Sequence, residues 1–314
     1  MSDLSFNRSL TAEIITEVFT HTVKDLRIDF DVTLTSESEA NHALVSVYNL
    51  SEQSRTTIQN EYKKLRLTGG YSGFAYSGMD DLLGPIGEQI FYGDIVGVRS
   101  KKIVGGWVTE IEALDGYADL KGLAYVKTWK AGTPVQTILL DICASIGIPF
   151  DPGFIPITDV LLKATSYNGP IKRTLDRICK AFNLKWSIKF GILEIADRDM
   201  PLLSASTQIV ILSPDTGLVG SPEVMIDDDP QKGEPVGNII VTSLLNGKMI
   251  PMRPVQILPT YPSTFAGVKL LKQKKVSGFN VQAKGIYIAE NVRHYGSNKA
   301  GQFHTEATCP IWSL

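Results

Sequence analysis

From Leu26 the chain alternates, with Leu26, Ile28, Phe30, Val32 and Leu34 apolar and Arg27, Asp29, Asp31 and Thr33 polar. A period of two predicts a strand with one buried face. After the turn-prone Ser36-Glu37-Ser38-Glu39, Ala43, Val45 and Val47 carry a second strand into Tyr48-Asn49-Leu50-Ser51, so an antiparallel pair is expected. Ser51 has the chemistry of an N-cap for a short helix from about Glu52 to Tyr62. Further strands are expected over Leu65 to Leu67, Ile90 to Arg99 and Trp107 to Leu114, and an exposed loop over the glycine-rich stretch from Gly69 to Gly87. The opening part, 1–127, reads as a small antiparallel β-barrel or sandwich carrying one helix.

The period changes at Gly132-Thr133-Pro134, where threonine as N-cap and proline at the first helical position predict a helix start. Val135, Ile138, Leu139, Ile142, Cys143 and Ile146 then form one apolar stripe that Gly147 ends. Asn168-Gly169-Pro170 repeats the arrangement, with Ile171, Leu175, Ile178, Cys179 and Phe182 as the second stripe. Leu184, Trp186, Ile188 and Phe190 next alternate with Lys185, Ser187 and Lys189, turn at Gly191 and continue through Leu193 and Ile195. Two helices and a hairpin make 128–200 a compact α/β module. Over 201–314 strands return, at Ile209 to Leu212, Ile239 to Leu245, Val255 to Leu258, Gly285 to Val292 and Phe303 to Cys309, with a turn at Asp227-Asp228-Asp229-Pro230. The fold class expected is α+β, mostly β, with two β-barrel domains and a small α/β module between them.

Two distant hairpins echo each other. Val98-Arg99 precedes a turn and Gly106-Trp107-Val108-Thr109-Glu110; Val292-Arg293 precedes a turn and Gly301-Gln302-Phe303-His304-Thr305-Glu306. Val98 to Val292 is 194 positions and Thr109 to Thr305 is 196, so the difference falls in the turn, where insertions cost little. A repeated β-scaffold follows. Trp107 and Phe303 hold equivalent places, which suits a repeated core or interface plug; stacking on a sugar or base is the other reading.

With 31 basic and 33 acidic residues the formal charge is −2, and the short Lys272-Gln273-Lys274-Lys275 run reads as a solvated loop or edge-strand guard, so specific nucleic-acid binding is not expected. The 314 residues, 43% hydrophobic, predict two or three packed domains, and no apolar run approaches the ~18 residues of a membrane span. Cys143, Cys179 and Cys309 lack CxxC spacing, so neither a disulfide framework nor a zinc site is expected. His294 and His304 are placed to face each other across the last hairpin, either as an ion site with Glu290 or Glu306 or, as cross-strand histidines usually are, as a surface pair. Neither GxSxG nor a phosphate-cradling glycine motif opens a helix, and no catalytic, cofactor-binding or metal-ligating residue is assigned.

The order of several short phrases resembles the central baseplate hub protein of contractile-tailed bacteriophages, related to the hub part of type VI secretion spikes. These are Phe30-Asp31-Val32 to Tyr48-Asn49-Leu50-Ser51, Gly70-Tyr71 with Ile90-Phe91-Tyr92-Gly93-Asp94-Ile95, and Asp115-Gly116 with Gly132-Thr133-Pro134. Gly220-Ser221-Pro222, Ser243-Leu244-Leu245-Asn246, Gly285-Ile286-Tyr287, Val292-Arg293-His294-Tyr295-Gly296 and His304-Thr305 complete the series, which spans nearly the whole chain. Pro251-Met252-Arg253-Pro254 departs from it, standing where a proline-glycine turn is usual. The resemblance implies two tube-like barrels and a non-enzymatic homotrimer that joins a sixfold tail tube to a threefold central spike. Its implied partners are the central spike protein, tail tube or tube-initiator proteins and the tape measure protein, with no cofactor. The implied location is the virion tail baseplate, assembled in the bacterial host cytoplasm. The alternative is a tail-associated peptidoglycan-binding or muralytic protein, with 128–200 as the wall-binding part.

Overall fold

Apolar residues at every second position fold here as strands because each pairs with a neighbour and turns one face to a common core. The structure, a computed structural model, describes residues 8–71, 87–116, 120–151, 159–198, 209–227, 236–258 and 285–311. Most of the expected 69–87 loop, the Lys272 to Lys275 run and the turn at 228–230 lie outside these residues; Gly69 and Gly70 themselves extend a strand.

The first part holds β1 (Arg8–Ile15), β2 (Thr20–Val23), β3 (Ile28–Thr35), β4 (His42–Tyr48), helix α1 (Glu52–Glu61), β5 (Lys64–Tyr71), β6 (Glu88–Ile103) and β7 (Gly106–Leu114). Ser51 caps α1 as expected, its hydroxyl accepting the Ser54 N–H at 3.1 Å. The middle holds β8 (Ala124–Trp129), α2 (Val135–Ile146), β9 (Phe150–Asp151), β10 (Thr165–Pro170), α3 (Ile171–Ala181), β11 (Leu184–Lys189) and β12 (Ile192–Asp197). The last part holds β13 (Val210–Leu212), a 3-10 turn at Pro214–Thr216, β14 (Leu218–Asp227), β15 (Val236–Leu244), β16 (Pro254–Ile257), β17 (Gly285–Ile288), β18 (Asn291–Ser297) and β19 (Phe303–Ile311).

The chain is mostly β, with its largest sheet antiparallel throughout. Eleven strands run in the order β14-β15-β19-β18-β3-β4-β7-β6-β5-β1-β2. The strands of the first and last parts therefore meet edge to edge at β18 and β3, where Val292 faces Leu34 and His294 faces Val32. Their inward residues share one core that includes Phe30, Val45, Ile111, Val241, Val292 and Phe303. A second core, with Ile138, Ile142, Leu175, Ile178, Trp186 and Leu193, lies between α2, α3 and the β11–β12 hairpin.

Several expectations shift. Both module helices begin one residue later than the sequence implies: Pro134 and Pro170 sit at the N-cap in extended backbone with no side-chain cap bond. Thr133 does not cap, its hydroxyl donating to the Lys130 carbonyl instead. The Pro134 carbonyl accepts the first helical N–H groups, which proline provides as well as any residue, since a cap needs only its carbonyl for that bond. Gly147 ends α2 in the left-handed region as expected, donating to the Cys143 carbonyl. The strand expected over 285–292 divides into β17, which pairs with β16, and β18, which enters the large sheet. At the sequence's departure, Met252 takes a left-handed φ of 68°, the conformation that glycine adopts without steric cost.

Candidate functional site: a duplicated strand unit and a buried polar joint

The echo seen in the sequence is a repeat of backbone register. In the β6–β7 hairpin Val98 faces Ile111, Arg99 faces Glu110 and Ser100 faces Thr109. In β18–β19 Val292 faces Ala307, Arg293 faces Glu306 and His294 faces Thr305. The first hairpin closes on Ile103 opposite Gly106, with only Val104 and Gly105 in the turn. The second keeps Ser297 N–H bonded to the Gln302 carbonyl, so residues 298–301 form its turn, and the two extra residues fall there.

The repeat reaches beyond the hairpins. β4 lies beside β7 with Val47 opposite Thr109, and β15 lies beside β19 with Ser243 opposite Thr305. β3 follows β4, with Val32 opposite Ala43, and β14 follows β15, with Val224 opposite Ile239. The units β3-β4-β7-β6 and β14-β15-β19-β18 thus share order, direction and register, apart from a bulge in β14 where residues 220–222 oppose Val241 alone. They are joined head to tail by β18 on β3. Arg293 fastens that junction with a two-pronged ion pair to Asp31, Nε to Oδ1 at 2.9 Å and Nη2 to Oδ2 at 2.5 Å. The counterpart Arg99 shares Glu110 with Lys101, and the two cations hold the Glu110 carboxyl below its ordinary pKa.

The module attaches to this sheet by polar contacts. The sequence pattern gives β11 one apolar face and, in Lys185, Ser187 and Lys189, one polar face; all three polar residues are buried. Asn41 accepts the Thr35 N–H at 2.8 Å and donates to the Ile188 carbonyl at 2.7 Å, while Ser187 donates to the Thr35 carbonyl at 2.9 Å. Lys189 pairs with Glu194 at 2.7 Å, and Arg253 reaches the other oxygen of the same carboxylate. Burial lowers the Lys189 pKa although Glu194 opposes the shift. Phe190 and Gly191, both at positive φ, form the tight turn to β12 rather than continuing the strand. Asp115 accepts both of their N–H groups, at 2.6 and 3.3 Å, while burial pushes its carboxyl up to about 7.

The histidines do not meet. His294 lies opposite Thr305 and His304 opposite Tyr295, which puts them on opposite faces of the sheet. His294 is completely buried, its Nδ1 2.8 Å from the Thr305 hydroxyl, and burial lowers its pKa to about 3. Both sequence readings of this pair, ion site and surface pair, are therefore corrected. Among the described residues no three His, Cys, Asp or Glu side chains converge on a metal position. All three thiols are buried, and burial pushes each up to about 12, which disfavours the thiolate. Phe303 is fully buried, whereas Trp107 stays 37% exposed with the Arg55 guanidinium 4.3 Å over its ring. The polar groups gathered here hold strands and module in place.

Solved structures share this architecture. The 43 kDa tail protein of prophage MuSo2 from Shewanella oneidensis superposes with a TM-score of 0.58 at 8% identity, covering 96% of this chain and 97% of that one. The tail protein from Neisseria meningitidis MC58 gives 0.58 at 11% identity, over 98% and 97%. This chain has a phage tail protein fold. The E. coli c3393 protein, described as a component of the type VI secretion system with structural similarity to the T4 tail proteins gp27 and gp5, gives 0.54 at 10% identity, over 91% and 74%. No protein-family model and no curated protein matches the tail-fold chain. What the sequence does not disclose is the β18–β3 junction, since a strand's neighbour is not written in its own period.

Proposed function

We propose that the protein is a structural component of a phage tail baseplate, a homotrimeric hub that joins a sixfold tail tube to a threefold central spike without a catalytic step. The observation that carries this reading is the duplicated four-strand unit: three chains with two units each present six similar units, so one face suits sixfold symmetry and the other threefold. In this reading 1–127 and 201–314 supply the two tube-like parts and 128–200 stands between them. The tail fold supports the setting. Its partners would be the central spike protein, tail tube or tube-initiator proteins and the tape measure protein, in the virion tail after assembly in the host cytoplasm. Among the described residues no helix is long and apolar enough to cross a membrane. Native mass spectrometry tests the reading: a trimer is expected, with threefold particles of six lobes in electron micrographs. A protein that stays monomeric at micromolar concentration would overturn it.

A further inference from the structure

His294 stands in the β18–β3 junction with one ring nitrogen bonded and the other not. It lies between Val32 of β3 and Thr305 of β19, and all three residues are without exposed surface. The Thr305 hydroxyl accepts the Asn246 N–H at 2.9 Å, which leaves its own proton for His294 Nδ1, 2.8 Å away. Nδ1 is then the lone-pair nitrogen, and Nε2 carries the hydrogen of a neutral ring. Nε2 is buried and has no hydrogen-bond partner among the described residues. The duplication indicates that this position does not need an imidazole. In the first unit Ser100 stands in the place of His294 and Thr109 in that of Thr305, and their hydroxyl oxygens meet at 3.0 Å. Serine thus makes the cross-strand bond without a titratable group, and only the copy that forms the junction carries one.

We propose that His294 is an acid trigger set in the junction: protonation of its ring parts β18 from β3 and so uncouples the two strand units. A second ring proton lands on Nδ1, so the Thr305 oxygen then faces two N–H donors and its own hydroxyl proton loses its acceptor. The new charge meets no carboxylate. Arg293, Asp31 and Glu306 stand on the other face of the sheet. Among the described residues, the titratable groups on the core side are the Cys309 thiol and the phenols of Tyr62, Tyr71 and Tyr287, and thiols and phenols carry no charge in acid. A buried cation without a partner is costly, so the ring must reach water. β19 is tied to β18 by the turn at 298–301, whereas β3 comes from the far end of the chain, so parting from β3 is the open route.

The sign of the pH dependence follows from the same burial, which lowers the His294 pKa from 6.5 to about 3. Between those values the unfolded chain holds a proton that the folded chain has released. Stability from this group is therefore complete above pH 6.5 and is lost as pH falls toward about 3, by close to tenfold in the unfolding equilibrium per pH unit. The trigger lies within one chain, so it stands apart from the trimer of the hub reading.

The test is His294→Asn in the full chain, because an asparagine oxygen can accept the Thr305 hydroxyl where Nδ1 does and cannot titrate. Urea unfolding of both proteins at pH 6 and pH 4 gives the comparison. The unfolding constant of the unaltered protein is expected to rise on the order of 50- to 100-fold more than that of the variant, and equal rises overturn the trigger. Hydrogen exchange places the opening. Amide protection at pH 4, corrected for intrinsic rates, is expected to fall in 28–35 and 291–297 of the unaltered protein and to hold there in the variant; loss in both proteins alike, or in neither, overturns the parting of β18 from β3. Should His294→Asn not fold, the unaltered protein decides by NMR. An imidazole resonance that stays neutral down to the acid opening of the chain supports the trigger, and one that titrates near pH 6.5 in the folded protein overturns it.

Discussion

Asp115 sits where the large sheet meets the module, and its position explains a conformation that phenylalanine rarely adopts. Phe190 has a φ of 57° and Gly191 one of 78°, the sequence of left-handed residues that a two-residue hairpin turn requires. A bulky residue there costs free energy. The Asp115 carboxylate offsets that cost by accepting both turn N–H groups. Burial is the larger influence on its proton, pushing the carboxyl from an ordinary 3.8 up to about 7. Between those values the folded chain holds a proton that the unfolded chain has released, so stability from this group falls as pH rises from about 4 to about 7 and stays low above it. The slope is on the order of 1 kcal/mol per pH unit. Asp115→Asn cannot titrate and keeps an acceptor for one N–H. Its melting temperature is expected to fall less than that of the unaltered protein between pH 5 and pH 8; parallel curves would show that Asp115 titrates normally.

Among the elements, β11 marks how far sequence patterning reaches. Its period of two is plain in Leu184, Trp186 and Ile188, and the apolar face packs on α2 and α3 as that period implies. The period leaves open what its polar face meets, and Lys185, Ser187 and Lys189 are buried in protein rather than turned to water. A period records which residues are polar; whether their partners are water or protein depends on Asn41, Glu194 and Arg253, which lie far off in sequence. Local signals such as the Ser51 cap, the Gly147 stop and the two helix stripes are legible because their partners are neighbours along the chain. β1 and β14 leave little trace: β1 follows no clean alternation, and β14 carries Gly220-Ser221-Pro222 within its bulge. Asn41 is the test of the polar joint. Asn41→Ala leaves the Thr35 N–H and the Ile188 carbonyl without their side-chain partner, and a buried polar group so orphaned costs about 1–3 kcal/mol. Urea unfolding is expected to shift by that amount, with faster amide exchange in 184–189 than in 43–47. A shift within error would mean that apolar packing alone seats the module.

For the whole molecule, the β18–β3 junction makes the two strand units depend on each other. Phe303 opens β19 in the last part, yet its ring meets Phe30 of β3 at 5.6 Å and Tyr71 of β5 at 5.4 Å, both edge to face. The Tyr71 hydroxyl donates to the Phe303 carbonyl at 2.7 Å, and Arg8 of β1 stacks its guanidinium 5.5 Å from the same ring while donating to the Ser297 carbonyl at 2.9 Å. Strands from both ends of the chain thus converge on one side chain with no exposed surface. Truncating it removes a ring from a closed core, and Phe303→Ala is expected to cost about 3–5 kcal/mol. Where that loss appears is the informative part. If the units share one cooperative core, amide protection falls in β1, β3 and β5 as much as in β18 and β19, and calorimetry shows a single transition for the sheet. Were the loss confined to 285–311 with 8–71 still protected, the units would be independent, and the continuous sheet would be a contact between two folded bodies.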